Sequence, residues 1–204
     1  MKVARIGLLT GPVGIGKTTV AERVVGLARQ QGLACGGVLA PAMINRCGQK
    51  AGIWGLEIGT GERRILARTD RDLGGPSIGA YSFDASALAW AAGAVERAMG
   101  ACDLLIVDEI GKLELWHGIG LAPVLSSLAA GEAERALVVV RDSLLSELQD
   151  RLRPVEQMVF QASEESRGTL APGILSNLLP SHEVAAHDEK GARSSAPLGR
   201  REDH

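Results

Sequence analysis

Eight consecutive residues near the start of the chain, Gly11-Pro12-Val13-Gly14-Ile15-Gly16-Lys17-Thr18, match the pattern G-x-x-x-x-G-K-[ST] and restrict the fold more than any other segment. A loop of this kind wraps an anion with backbone N–H groups, which requires glycines that adopt unusual dihedrals and let the backbone approach closely. Gly11, Gly14 and Gly16 meet that need, with Pro12, Val13, Ile15 and Thr19 completing the binding segment. Lys17 has the reach to contact β- and γ-phosphates, and the Thr18 hydroxyl can ligate Mg²⁺. A helix starting near Lys17 directs the positive end of its dipole at the anion. The flanks supply the frame this needs. Val3 to Thr10 is an apolar run suited to a buried parallel strand, and Thr18 to Gln31 carries Val20, Val24, Leu27 and Ala28 at helical spacing. The segment is expected to bind a nucleoside triphosphate.

At 204 residues the chain can bury a full core as one domain without disulfides or a structural metal. A net charge of −2 provides no global basic field, and 3% aromatic residues leave few platforms for stacked bases, so a nucleic-acid partner is not expected. Cys35, Cys47 and Cys102 lack C-x-x-C spacing, which fits reduced thiols better than a disulfide framework or a zinc site. The N-terminus leads directly into the first strand and loop, and no apolar stretch is long enough to span a bilayer. The expectation is a cytoplasmic monomer with no membrane partner.

Past the first helix, Ala34 to Ala40 reads as a second short strand ended by Pro41. About residues 51–68, two strands joined by the Gly59-Thr60-Gly61-Glu62 turn form an antiparallel hairpin inserted in the core, followed by a loop over Thr69 to Ser77. Asp84 or Ser86 caps a helix over Ala87 to Met99. Leu104 to Val107 then forms a strongly apolar strand. The remainder alternates: helix Leu121 to Ala130, strand Ala136 to Val140, helix Leu144 to Leu152, strand Met158 to Gln161, helix Pro172 to Leu179. Such alternation predicts an α/β domain over residues 1–180, with a mostly parallel sheet and helices on both faces. Residues 181–204 contain almost no large apolar side chains and read as a disordered tail.

The apolar strand Leu104 to Val107 runs into Asp108 and Glu109, the arrangement called Walker B. Parallel strands deliver their C-terminal ends to one sheet edge, so Asp108 can arrive beside Thr18 and hold Mg²⁺, leaving Glu109 placed to orient or deprotonate an attacking water. Arg141, directly after the strand ending at Val140, reaches the same edge and is a candidate internal arginine finger.

The block Asp108-Glu109-Ile110-Gly111-Lys112-Leu113-Glu114-Leu115, together with GPVGIGKTT at residues 11–19, resembles the THEP-type nucleoside-triphosphatase family. The resemblance covers roughly residues 3–179 and includes the Gly36-Gly37 pair, the hairpin, Gly79-Ala80-Tyr81 and Ser163-Glu164-Glu165-Ser166-Arg167. It implies a P-loop NTPase fold of the additional-strand, catalytic-glutamate type and hydrolysis of ATP, GTP and other triphosphates with low base selectivity. Carried over, it assigns phosphate and Mg²⁺ contacts to Lys17 and Thr18, the metal role to Asp108 and water activation to Glu109, and adds Lys112 and Glu114 as active-site candidates. Two departures stand out. Ala40-Pro41-Ala42-Met43 replaces a T-x-E-type segment after strand two, and Glu165-Ser166-Arg167 replaces an E-N-R tripeptide near the end.

Two other outputs fit the same loop. One is a small-molecule kinase whose acceptor pocket is formed by the hairpin insert, and the other is a nucleotide-dependent switch with slow hydrolysis acting on a protein partner.

Overall fold

The computed structural model describes residues 4–179, so the expected tail at 181–204 lies outside the described residues. Along the chain the elements are β1 (Arg5–Thr10), α1 (Lys17–Gln30), β2 (Cys35–Leu39), β3 (Ala42–Ile44), β4 (Lys50–Glu57), β5 (Arg63–Arg68), β6 (Ser77–Ile78), β7 (Tyr81–Phe83), α2 (Ala85–Ala98), β8 (Leu104–Ile110), α3 (Lys112–His117), α4 (Ala122–Ala129), β9 (Arg135–Val140), a 3₁₀ turn (Asp142–Leu144), α5 (Leu145–Arg151), β10 (Glu156–Gln161) and α6 (Leu170–Leu178).

Five strands form a parallel block in the order β10-β1-β9-β8-β2. β1, β8 and β9 read as continuous apolar runs because helices cover both of their faces. Successive residues of a strand point to opposite faces, and the core divides accordingly. Leu8, Val38, Val107 and Val138 join the cluster under α2, α4 and α5. Their neighbours Leu9, Leu39, Ile106 and Val139 join the cluster under α1 and α6. The strand carrying the acidic pair, β8, is separated from the strand before the phosphate loop by β9, which is the additional-strand arrangement that the resemblance implied.

The hairpin is present and extends further than expected. β4 pairs with β2 antiparallel, and β5, β7 and β6 continue the sheet outward while β3 pairs with β4. Strands of two or three residues, such as β6, β7 and β3, are too short to display an alternating pattern, so their residues read as connection in the sequence. Ile53, Leu66 and Ala67 of the hairpin share the apolar cluster of α2, so the insert and the parallel block have one continuous core.

Asp84 caps α2, its carboxylate accepting from Ala87 N at 2.9 Å, an arrangement that contributes roughly 1 kcal/mol. Two local differences bear on the site. β8 continues to Ile110, so Asp108 and Glu109 lie within the strand rather than after it. Lys112 and Glu114 belong to a short helix, α3, for which the sequence reading has no element, and its Leu113, Glu114 and Leu115 are buried.

Candidate active site

Gly16 caps α1 from the left-handed region at φ 99°, and a Cβ on Gly11 would lie 2.6 Å from the Ala162 carbonyl oxygen. Both positions therefore exclude larger residues. Ile15 anchors the loop by packing in the α1 cluster, while Val13 at its tip is 77% exposed. Arg167 Nη1 donates to the Ile15 carbonyl at 3.4 Å, tying the Ser163 to Arg167 segment to the loop.

Lys17, the first residue of α1, is 8% exposed and turns its ammonium back on the loop, donating to Gly11 O at 2.6 Å and Pro12 O at 3.0 Å. Burial lowers its pKa. The carboxylates of Glu109, Asp142 and Asp108 oppose that shift, and Arg141 reinforces it. The sheet has thus brought residues from three separate stretches of chain around one ammonium. Thr18 is half-buried and Thr19 faces solvent.

Asp108 is 1% exposed. Its Oδ2 accepts from the Ala40 backbone N at 3.0 Å, but Oδ1 has no hydrogen-bond partner. Burial pushes the carboxyl up to about 7, helped by the neighbouring Glu109 charge and opposed by the Ala40 N–H and the Thr18 hydroxyl. A carboxylate oxygen left without a partner at this depth costs free energy unless a ligand satisfies it. Together with the Thr18 hydroxyl it presents hard oxygen donors, a set that suits Mg²⁺. Ala40 stands where the family resemblance implied a polar segment, and it contributes its backbone N–H instead.

Glu109 sits where the pairing of β8 with β9 steps from Asp108–Val139 to Ile110–Val140, outside the regular register. Its Oε1 accepts from Arg141 Nε at 2.8 Å, a partly buried ion pair formed because both strands end at the same edge. Arg141 is therefore at the site, directed at Glu109.

Glu114 is 5% exposed and serves the backbone: Oε2 accepts from Gly111 N at 2.8 Å and Oε1 from Leu121 N at 3.4 Å. Burial raises its pKa, and these N–H groups oppose the shift. Lys112 is exposed, with its ammonium 4.7 Å from the Trp116 ring centroid. Trp116 itself is 56% exposed and donates from Nε1 to Glu147 at 2.9 Å.

Asp142 escaped the sequence reading. It accepts from the buried Thr10 hydroxyl at 2.7 Å and from Gln161 Nε2 at 3.3 Å, joining the ends of β1, β9 and β10 beside Lys17. Its signal was position alone, as the acid that follows Arg141 after an apolar strand. A cavity of about 280 Å³ opens on the α2 side of this edge, with Asp108, Glu109, Lys112 and Arg141 in its wall.

The family whose model is described as NTPase matches residues 6–175. The chain belongs to this NTPase family. Among relatives, the nucleoside-triphosphatase THEP1 of Methanosarcina barkeri is 31% identical over 170 residues, covering 83% of this chain and 94% of that protein. The THEP1 of Thermofilum pendens is 29% identical over 168 residues, or 82% and 91%. That of Methanopyrus kandleri is 38% identical over 108 residues, a stretch spanning 53% of this chain and 58% of its own length. Among solved structures, the NTPase fold recurs in THEP1 from Aquifex aeolicus, with a TM-score of 0.68 at 19% identity over 85% of this chain and 99% of that one. A human cancer-related nucleoside triphosphatase gives 0.63 at 23%, covering 87% and 99%. Among the described residues of this NTPase-family chain, no helix is long and apolar enough to cross a membrane.

Proposed function

We propose that this chain cleaves the terminal phosphoanhydride of ATP, GTP and other nucleoside triphosphates by Mg²⁺-dependent attack of water, with low base selectivity, as a cytoplasmic monomer. The observation that carries the reading is the buried, unpartnered Asp108 Oδ1 at the same sheet edge as Lys17 and Glu109. A hydrolase of this class needs positioning and charge neutralisation rather than covalent chemistry.

In this reading the N–H groups of Gly11 to Thr19 wrap the phosphates, and Lys17 exchanges its loop carbonyls for β- and γ-oxygens. Thr18 and Asp108 would hold Mg²⁺, which would supply charge neutralisation for the phosphates. Glu109 orients the attacking water and accepts its proton. Arg141, already paired with Glu109, lies near where negative charge develops. Lys112 adds a second cation to the same wall, and Glu114 acts at one remove by fixing the backbone after β8. Relatives named nucleoside-triphosphatase over more than 90% of their length support the activity.

The test is phosphate release across ATP, GTP, CTP and UTP, with and without Mg²⁺, in the wild type and in Glu109→Gln. The substitution keeps the side chain's shape, so hydrolysis should fall by about 10² or more while ATP still binds. Undiminished hydrolysis in Glu109→Gln would move the catalytic role elsewhere. A preference above about a hundredfold for one base, nearly 3 kcal/mol of differential transition-state binding, would refute low selectivity.

A further inference from the structure

The cavity of about 280 Å³ beside Glu109 is built in a way that water attack does not require. One water occupies about 30 Å³, so the space would hold roughly nine. Val38, Ile53, Leu66 and Leu88 form its apolar walls, with Tyr81 and Phe83 at the hairpin side. The charged side chains in the lining, Asp108, Glu109, Lys112, Glu114 and Arg141, all come from the end of β8, from α3 just after it and from the residue that follows β9. No lining residue comes from Gly11 to Thr19 or from the Ser163 to Arg167 segment. The cavity therefore lies off the phosphate loop and meets the nucleotide's path only at the acidic pair, which is the γ-phosphate end of a loop-bound triphosphate.

Empty apolar space holds water poorly, whereas an apolar body that fills it gains the free energy of surface removed from water. We propose that this cavity seats a second substrate, a small alcohol with an apolar body of about ten non-hydrogen atoms, whose hydroxyl takes the γ-phosphoryl group in place of water. The inference rests on the reading that Glu109 receives the nucleophile's proton. The alcohol oxygen forms a bond to the γ-phosphorus, the bond from that phosphorus to the β–γ bridging oxygen breaks, and the hydroxyl proton passes to the Glu109 carboxylate. The products are a phosphate monoester and the nucleoside diphosphate. Hydrolysis is then the same displacement with the cavity vacant.

Benzyl alcohol and cyclohexylmethanol are suitable probes, with ethanol and glycerol as controls that lack an apolar body. In Mg²⁺ and ATP, ³¹P NMR follows the phosphate ester, and ADP formed is compared with inorganic phosphate released. The expected result is an ester signal that saturates with either probe and exceeds that from ethanol by about tenfold or more at equal concentration. Ile78→Trp at the half-buried rim and Ala91→Phe in the α2 wall should each abolish the ester while keeping phosphate release within about twofold, with melting scans reporting folding. ADP equal to inorganic phosphate with both probes would overturn the proposal. So would ester that rises linearly with every alcohol alike and persists in the folded variants. Glu109→Gln separates the two readings: full hydrolysis in that variant removes the role of Glu109, whereas lost hydrolysis with no ester in the wild type removes the second substrate alone.

Discussion

Lys17 satisfies its ammonium inside its own loop, so in the proposed site a nucleotide would have to replace two carbonyl acceptors with phosphate oxygens. Removing the side chain removes only that exchange, since the core around Ile15 and Val20 does not depend on it. Lys17→Ala should weaken ATP binding by about a hundredfold or more in calorimetric titration and leave the melting temperature nearly unchanged. Unaltered affinity would detach the loop from the nucleotide. Asp108 gives a prediction of opposite character. Its carboxyl, near 3.8 when unperturbed and about 7 when folded, binds a proton more readily in the native chain. The unfolded chain therefore holds fewer protons in that window, and stability falls as pH rises from about 4 to about 7. In metal-free buffer Asp108→Asn should stabilise the protein by a few kcal/mol at about pH 8 and much less at about pH 5. Denaturant titrations at the two pH values check it, and equal gains at both would remove the titration from the account. The same substitution should weaken the Mg²⁺ dependence of ATP binding if Asp108 holds the metal as proposed.

The short helix α3 shows how far a pattern can be followed along a chain. The strand, loop and α1 were legible because apolar spacing, glycines and the lysine all describe local geometry. The acidic pair was legible because a parallel strand fixes which edge its end reaches. Glu114 was not, because its partners are the N–H groups of Gly111 and Leu121, and the second of these meets it only once α3 and the start of α4 have packed. Its neighbour Lys112, the other candidate added by the resemblance, instead places its ammonium over Trp116. A pocket at the hairpin insert entered the sequence reading only with the kinase alternative, and its apolar lining was not legible because the walls come from β2, β4, β5, β7 and α2, which no local pattern groups together. Glu114→Ala should leave two backbone donors without their acceptor and cost about 1–3 kcal/mol by chemical denaturation. If it holds the end of β8 in place, kcat should fall with little change in KM, and Glu114→Gln should recover part of both. An Ala variant as stable and as active as the wild type would make Glu114 incidental.

At the scale of the whole molecule, one sheet and one apolar cluster run from the parallel block into the insert. The insert should therefore not unfold independently in bulk. Leu66→Ala, within the hairpin and buried, should lower global stability by about 2–5 kcal/mol and preserve a single calorimetric transition. Two separate transitions would show the insert to be its own folding unit. Yet the join between the two halves is narrow. Only Val38 with Glu57 and Leu39 with Leu56 pair across β2 and β4, whereas β1 and β10 pair at six positions. Amide protons along that seam should exchange with solvent through smaller openings than those of β9, giving the wall of the acidic edge a freedom to breathe that the phosphate loop, set between longer ladders, does not share.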